Sequence, residues 1–479
     1  MHEPIIEEVP CSLSPVEIYE KFSGEEYSIF LDSCERGEYS YIALRPSLIF
    51  KSKGTTMTLE ERKNNKDNPT TNVIIKKGNP WLEIERLIQT FQRNKATRQQ
   101  AQQRKHPLET GGCIGYLGYD LVNFLEKIPQ HAHDDLKLPE SYLIIPQVIL
   151  IFLHKKKSIK IVYTQNDESV HNVKKKLRDL EKKNKEQKNE KKNDGRWTSP
   201  QLSSNFTVTE YLNAIKTAQE HLRWGNTYQI KLSQRLTFSV NEHPFEVYKH
   251  LRKINPSPYS AYLHFPELTL ISCSPEHLLK VENGSAITRP IGGTYPKTTL
   301  PHDNQKLLAK FKNDTKERAE HTMLIDLERN DLGKVCELGS VKVAELMTIE
   351  EYSHLYHLVT EIKGTLRKEV TALEALKAMF PGGTVTGCPK VRTIQLIEEL
   401  EPTKRGPYTG SIGFLSFNNC CDFNIIIRTM IIKGNKGYVH VGGGIVADSN
   451  PETEYRETVW KAQALLDAAG IESKKYREF

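Results

Sequence analysis

The sequence predicts an α+β fold with large, mostly antiparallel sheets and outer helices. Short segments rich in β-branched and aromatic residues recur along the chain and are separated by turn residues. Helical spacings occur between them, but without the regular strand–helix alternation of a parallel sheet. Apolar residues make up 38% of the 479 residues, which is enough for a sizeable core.

Local patterns place the individual elements. Helical spacing of apolar residues predicts helices over 80–91 and 209–224. The longest apolar run, 142–153, contains a Pro and a Gln and is too short to span a bilayer, so we interpret it as a buried strand. Further strands are expected at 28–33, 39–46, 47–52, 146–164 (a pair joined by a basic turn), 227–238, 268–281 and 285–291.

Positive charge is concentrated in one segment of low complexity. The net charge is +7, and residues 174–196 contain eleven Lys or Arg against five Asp or Glu. This segment contains no Phe, Tyr or Trp, which argues against a nucleic-acid-binding protein. We expect a solvent-exposed helix that leads into a linker. The predicted regions are therefore an N-terminal region 1–165, a charged linker or insertion 166–204, and a catalytic region 205–470.

The cysteines and the N-terminus indicate the compartment. None of the eight Cys forms a C-x-x-C pair, and no His pair follows at zinc-ligand spacing. Scattered thiols are typical of a reducing compartment. The first residues are acidic and lack a signal-peptide pattern. These features predict a cytoplasmic protein with no membrane association.

The last hundred residues have the character of a site for a small anion. Apolar strand segments end in turns that carry Tyr408, Arg428 and the triplet Gly442, Gly443 and Gly444. A buried lone Arg is costly, so we expect Arg428, placed inside a strand, to face a cavity and meet a carboxylate. Glycines allow close backbone approach and leave N–H donors free for an anion. Ordinary turn geometry explains each glycine equally well when it is taken singly.

Two predicted helices carry pairs of carboxylates on one face. Glu317 and Glu320 form one i, i+3 pair, and Glu454 and Glu457 form the other. Capping of the helix N-termini and an i, i+4 pair between Glu457 and Lys461 would also account for these residues. The spacing alone therefore leaves both a metal site and a purely structural role open.

These segments resemble the chorismate-utilising enzyme family. That family includes component I of anthranilate synthase, component I of aminodeoxychorismate synthase, and the isochorismate and salicylate synthases. The resemblance is strong over roughly 205–466 and weaker over 25–150. It implies two sheets packed as a sandwich, with the site in a cleft of the C-terminal portion.

The resemblance also implies a set of binding residues. The segments 316–331 and 452–462 match the family's two metal helices, so Glu320 and Glu457 would ligate Mg²⁺, supported by Glu317 and Glu454. A hard cation held by few carboxylates keeps positions open for a substrate carboxylate and water. The residues that would contact chorismate are Gly293, Thr294, Tyr408, Arg428, Gly442, Gly443, Gly444 and Lys461.

Three further positions bear on the chemistry that the resemblance implies. Glu276, in a Ser-Pro-Glu motif, would act as the general acid that protonates the departing 4-hydroxyl. His357 matches the family's active-site His, although a lone His on an apolar strand is usually a core residue. Gln229 stands where isochorismate synthases place a Lys base. Because Gln cannot act as a base, we expect ammonia rather than water to attack.

Position 292 separates this chain from many relatives. Many aminodeoxychorismate synthases have a nucleophilic Lys there, and anthranilate synthases usually have Ala, whereas this chain has Gly292. A covalent mechanism through that position is therefore excluded. Lys231 shares a strand face with Gln229, and we consider it only as a remote substitute.

The remaining details favour 4-amino-4-deoxychorismate, a precursor of para-aminobenzoate and folate, as the product. Residues 381–383, Thr386, residues 414–417 and the glycine triplet resemble that branch. Gly292 weakens the argument, and anthranilate synthase component I, which releases anthranilate and pyruvate for tryptophan synthesis, is the alternative.

The sequence also suggests two other partners. Cys388 lacks the strand–turn–helix frame of a glutaminase nucleophile, so ammonia would come from a separate glutamine amidotransferase subunit. The family's tryptophan pocket is matched by residues 31–33 and 39–40. Ser33, Pro258, Tyr259 and Ser260 are its candidate lining here, with Ser260 in place of a common Met. Edge-strand polar residues would explain the same pattern.

Overall fold

The computed structural model describes residues 3–63, 70–92, 106–165, 168–184, 202–296, 308, 314–351 and 355–471. The helices are α1 Pro15–Glu20, α2 Pro80–Gln92, α3 Glu168–Asn184, α4 Val208–Arg223, α5 Pro244–Ile254, α6 Thr315–Gly333, α7 Ala372–Met379, α8 Lys390–Leu400 and α9 Pro451–Ala468. The strands are β1 Ile5–Pro10, β2 Ser28–Asp32, β3 Tyr39–Lys53, β4 Thr56–Lys63, β5 Thr70–Lys77, β6 Gly112–Leu117, β7 Ser141–Leu153, β8 Ser158–Tyr163, β9 Ser203–Ser204, β10 Gln229–Ser239, β11 Tyr259–His264, β12 Thr269–Ser274, β13 His277–Glu282, β14 Ser285–Arg289, β15 Ile291–Pro296, β16 Lys342–Glu351, β17 Leu355–Thr365, β18 Gly387–Cys388, β19 Ser411–Ser416, β20 Cys421–Asn424, β21 Thr429–Lys433 and β22 Lys436–Ile445.

Every pairing between these described strands is antiparallel, and hydrogen bonds connect them into one network. The predicted strands 39–46 and 47–52 form the single strand β3, which pairs with β7 over most of its length. Arg45 has a left-handed backbone (φ 55°), and the register shifts between Pro46 and Leu48. This irregularity bends the strand, so that its two halves contribute to different layers.

Three layers of apolar side chains show how the sheet is folded on itself. A central layer lies between strand faces contributed by β2, β11 and β12 on one side and β6 and β19 on the other. The opposite faces are covered by α1, α3, α5 and α9 in one outer layer and by α2, α6 and α7 in the other. The α+β fold with antiparallel sheets and outer helices is therefore confirmed, and the two halves of the sheet pack as a sandwich.

The N-terminal and catalytic regions share hydrogen bonds throughout this sandwich. Strand β2 pairs with β11, and β6 pairs with β19. The expected exposed helix of the charged segment differs from the structure, because α3 buries Val170, Val173 and Leu177 in an outer layer. Its apolar residues recur at intervals of three and four, which gives a narrow buried stripe within a charged sequence. Residues 185–201 lie outside the described part of the chain.

Most local expectations for the elements are confirmed. Helix α2 and helix α4 occupy the predicted segments, and α4 begins with a capping box between Thr207 and Glu210. The apolar run 142–153 forms the buried strand β7. No helix in the described ranges has both the length and the apolar character needed to cross a membrane.

Candidate active site

The floor of the candidate site is a row of glycines on β22. In the register of β22 with β10, Gly444 lies opposite Lys231 and Gly442 lies opposite Ser233. A Cβ atom at Gly442 would lie 2.9 Å from the Tyr408 hydroxyl, and one at Gly444 would lie 2.6 Å from the Lys231 Nζ. At Gly442 a Cβ would also lie 2.5 Å from the Leu232 carbonyl oxygen, which is fixed backbone, so glycine is required there. At Gly444 a Cβ would push the flexible end of Lys231 aside.

A cavity of about 150 Å³ lies above this floor, and we call it the glycine cavity. It brings together most of the residues that the sequence assigned to substrate. Its lining includes Glu276, His357, Tyr408, Arg428, Gly442, Gly443, Gly444 and Lys461, together with Lys231, Gly292, Thr384 and His440. Gly293 is buried on β15, outside this lining, and the side chain of Thr294 lies outside the described residues.

Arg428 does not lie inside a strand, so that prediction is wrong. Residues 425–427 interrupt the sheet between β20 and β21, and the N–H of Ile427 donates to the Ile425 carbonyl (2.9 Å) in a tight turn. Arg428 itself has a left-handed backbone, with φ 51°. One guanidinium N–H donates to the Lys461 carbonyl (3.1 Å), and burial lowers the pKa of the side chain. The side chain still lines the cavity, as expected.

Glu276 and His357 are buried neighbours of the cavity. The N–H of Ile291 donates to Glu276 Oε1 (3.2 Å), and burial raises the pKa of this carboxyl. Burial, together with nearby Arg428, lowers the pKa of His357 to about 4. At neutral pH the imidazole is therefore uncharged, and the raised pKa of Glu276 favours its protonated form.

The carboxylates of α6 and α9 are held by neutral and cationic donors at the edge of the cavity. Gln229 Nε2 donates to Glu320 Oε2 (3.1 Å), and the Ser449 hydroxyl donates to Glu454 Oε1 (2.7 Å). Lys461 Nζ pairs with Glu457 Oε1 at 2.6 Å and also donates to the Gly442 carbonyl (3.0 Å). Helix α9 thus contacts the glycine floor through Lys461, and α6 is linked to β10 through Gln229.

The pKa shifts show that these carboxylates interact. Burial raises the pKa of Glu317, and Glu320, Asp314 and Glu457 raise it further. Burial also raises the pKa of Glu454, and Glu457 adds to that shift. Burial opposes ionisation of Glu457, but Lys461 and then Lys231 outweigh it, so its net pKa is lowered.

Glu317, Glu320, Glu454 and Glu457 do not line the glycine cavity, but their carboxylates are oxygen donors of the kind that a hard cation such as Mg²⁺ takes. Within the described ranges, no three His, Cys, Asp or Glu side chains already stand together as a metal cage. Glu320 and Glu457, with Glu317 and Glu454, are the residues that could hold such a cation.

Gly292 has a steric explanation that the sequence did not provide. A Cβ atom at this position would lie 2.6 Å from the imidazole ring of His321 on α6. His321 is buried and shares a hydrogen bond with the Thr360 hydroxyl (2.7 Å). A longer side chain at position 292 is therefore excluded while His321 keeps this place.

A second cavity, of about 260 Å³, contains the candidate tryptophan residues, and we call it the serine cavity. Ser33, Pro258, Tyr259 and Ser260 all line it. Asp32, also in the lining, accepts hydrogen bonds from Arg252 Nε (2.6 Å) and the Tyr248 hydroxyl (2.8 Å). The structure thus brings the four predicted residues together around a fully paired carboxylate.

Sequence reasoning missed or undervalued three lining residues of the glycine cavity. Thr384 follows the predicted glycine turn, and His440 stacks on Tyr408 with ring centroids 5.1 Å apart. Lys231, considered only as a remote substitute, reaches the cavity directly. Strand alternation was a usable signal, because 440 shares a face with 442 and 231 shares a face with 229.

Known proteins resemble this chain over nearly its whole length. Residues 9–467 match the family described as chorismate binding enzyme. The chain is 37% identical to anthranilate synthase component 1 of Acetivibrio thermocellus, covering 97% of this chain and 94% of that protein. It is 34% identical to aminodeoxychorismate synthase component 1 of Bacillus subtilis (strain 168), covering 95% of each.

Solved structures give the same result. The crystal structure of anthranilate synthase component I from Streptococcus pneumoniae TIGR4 matches with a TM-score of 0.76 and 31% identity, covering 96% of this chain and 99% of that one. Relatives of both names thus match nearly the whole chain, over the strands and helices that build the glycine cavity. The chain belongs to the chorismate-binding enzyme family and is a chorismate-utilising enzyme.

Proposed function

We propose that the enzyme aminates chorismate with ammonia, in a Mg²⁺-dependent reaction that gives 4-amino-4-deoxychorismate for para-aminobenzoate and folate synthesis. The observation that carries the attack by ammonia is the environment of the Gln229 side chain, and the product follows from the branch resemblance described above. Gln229 Nε2 donates to Glu320, while its Oε1 is buried and accepts no hydrogen bond from the described residues. A buried acceptor without a donor is costly, and an ammonia N–H would satisfy it.

Gln229 would thus position the nucleophile without removing a proton from it. Ammonia needs no base to attack, because neutral ammonia is a much stronger nucleophile than water. Water would need one, and an amide cannot act as a base. The combination of an acceptor and no base in this place therefore favours attack by nitrogen.

Glu276 would supply the proton for the leaving group. In the net step a C–N bond forms at the ring carbon while the C–O bond to the 4-hydroxyl breaks, and the Glu276 proton leaves with the hydroxyl as water. The resulting carboxylate then takes a proton from the new ammonium, which restores the acid. Burial, which raises the pKa of Glu276, supports this assignment.

The substrate would be held by groups that face the cavity. Arg428 is suited to grip a carboxylate, with the Tyr408 hydroxyl and the Gly442 to Gly444 backbone beside it. Lys461 would offset part of the substrate's negative charge, and neutral His357 would border the ring. Glu320 and Glu457 would hold Mg²⁺, which, when bound, supplies positive charge for a substrate carboxylate.

The product is best tested by mass spectrometry of reactions with chorismate, ammonium and Mg²⁺. An aminated ring that keeps its enolpyruvyl group is expected, and it disappears with a chelator. The second candidate is anthranilate synthase, favoured by the relative of that name at 37% identity. Release of anthranilate and pyruvate would establish that alternative, and absence of any aminated product would contradict both.

Ammonia would arrive from a separate glutamine amidotransferase subunit. Burial raises the pKa of Cys388, which disfavours the thiolate that a glutaminase nucleophile requires. The purified chain is expected to use ammonium salts but not glutamine. Turnover of glutamine by this chain alone would contradict the proposal.

The serine cavity is our candidate site for tryptophan. Its serine hydroxyls and the ring of Tyr259 offer polar and aromatic contacts to an amino acid with a large ring. Calorimetry with L-tryptophan should give saturable binding that Ser260→Trp abolishes, while chorismate turnover persists. Equal heats for both proteins would place any tryptophan elsewhere.

A further inference from the structure

Lys231 lies at the cavity end of β10 and extends across the facing strand. Its backbone is fixed on both sides, since its N–H donates to the Thr386 carbonyl (2.9 Å) and its carbonyl accepts from Arg405 (2.7 Å). Its Nζ lies where a side chain at Gly444 would begin, 2.6 Å from that Cβ position. The missing side chain at Gly444 is what opens this path.

The ammonium of Lys231 forms no hydrogen bond or ion pair with any residue that the structure describes. Lys461, in the same cavity, is instead paired with Glu457 at 2.6 Å. Lys231 lies close enough to lower the pKa of Glu276, Glu454 and Glu457, but only as a secondary influence on each. It is therefore a positive charge that is available to a ligand.

The spacing of the floor indicates what that ligand looks like. The Tyr408 hydroxyl lies over Gly442 and the Lys231 Nζ lies over Gly444, on the same face of β22. Two residues of an extended strand span roughly 7 Å. A hydroxyl donor and an ammonium at this separation suit a rigid molecule with two carboxylates, and chorismate is such a dianion.

Building on the proposed function, we propose that Lys231 binds one carboxylate of chorismate, opposite the end held at Tyr408 and Arg428, and so makes the site specific for a dicarboxylate. A charge-assisted hydrogen bond in a cavity is among the stronger polar contacts. Lys231 is then a specificity-determining residue for binding, without a part in bond making or breaking.

The test is calorimetric binding of chorismate without ammonia, combined with steady-state kinetics. Lys231→Met should raise the Kd and the KM for chorismate by about 10- to 100-fold, with kcat changed less than about threefold. Lys231→Arg should recover most of the affinity. Lys436→Met removes the same charge at the exposed far end of the β10–β22 ladder and should leave all values unchanged.

A second variant displaces Lys231 without removing its charge. Gly444→Ala should weaken chorismate binding measured without ammonia, and much less so in a Lys231→Ala background, because the new methyl group pushes the ammonium aside. The methyl would also lie 3.0 Å from Gln229 Nε2, but that contact is the same in both backgrounds. Equal effects of Gly444→Ala in both backgrounds would contradict the proposal.

The outcomes separate this inference from the proposed function. Wild-type protein that does not bind chorismate would overturn both. Normal binding by the wild type with an unchanged Kd in Lys231→Met would overturn this inference alone. A collapse of kcat at unchanged Kd, with no recovery in Lys231→Arg, would show that Lys231 takes part in the chemistry instead.

Discussion

The glycine cavity and the serine cavity differ in how their charges are paired. In the serine cavity, Asp32 is saturated by Arg252, Tyr248 and the Cys34 N–H (2.9 Å). The half-buried Lys231 ammonium in the glycine cavity, and the buried Gln229 Oε1 on the same strand face, meet no partner among the described residues. Saturated groups stabilise a fold, whereas unsatisfied buried groups store binding energy for a ligand. The serine cavity, although larger, therefore has no unpaired carboxylate at Asp32. The smaller glycine cavity is the better candidate for chemistry.

The largest effect expected in the glycine cavity comes from Glu276→Gln. Removing the general acid should lower kcat by about 10²- to 10⁴-fold. Because the acid is active when protonated, wild-type kcat should fall as pH rises through its raised pKa, and the variant should lose that alkaline decline. A normal pH profile in the variant would exclude Glu276 as the acid.

Removal of a metal carboxylate should have the next largest effect. Glu320→Gln and Glu457→Gln should each raise the Mg²⁺ concentration for half-maximal activity by about 10- to 100-fold. Glu452→Gln, an exposed residue on the same helix as Glu457, serves as the matched control. Unchanged magnesium dependence in the first two variants would remove these helices from the metal site.

In the serine cavity, the main effect should be on stability. Asp32→Ala leaves the Arg252 charge without its buried partner and should lower the free energy of unfolding by about 3 kcal/mol. Asp134→Ala breaks a more exposed pair with Lys53 and should cost less than about 1 kcal/mol. Denaturant titration measures both. A large rise in the KM for chorismate in Asp32→Ala would contradict the view that the serine cavity contributes to stability and not to chorismate binding.

The smallest effect is expected at Gly292. Gly292→Ala crowds His321 and should lower the free energy of unfolding by about 1–3 kcal/mol. Gly333→Ala is the control, because a Cβ there meets no atom within 4 Å. The cost of Gly292→Ala should shrink in a His321→Ala background, and full additivity would show that the ring is not the obstacle.

Local patterns predicted the elements well, and long-range register accounts for the failures. The capping box of α4 and the apolar period of α2 depend on neighbours within four residues, so the sequence shows them directly. Lys231 lies over the glycine floor opposite Gly444, which is about 200 residues away in the chain. A single sequence contains no sign of that pairing.

The prediction that Arg428 lies inside a strand was wrong for a related reason. Its apolar neighbours have the composition of a strand, but a tight turn at 425–427 breaks the ladder and aims the side chain. The buried stripe of α3 was missed for a different reason, because the surrounding charge outweighed the helical spacing of three apolar residues. Site residues that the family resemblance implied, such as Glu276 and Tyr408, do line the glycine cavity.

The pairing of β6 with β19 has a consequence for biosynthesis. These partners are about 300 residues apart in the chain, so β6 leaves the ribosome long before β19 exists. At translation speeds of roughly 5–20 residues per second, the apolar edge of β6 stays unpaired for on the order of tens of seconds until β19 has been synthesised. Nascent chains in that interval should be clients of chaperones that shield exposed strand edges.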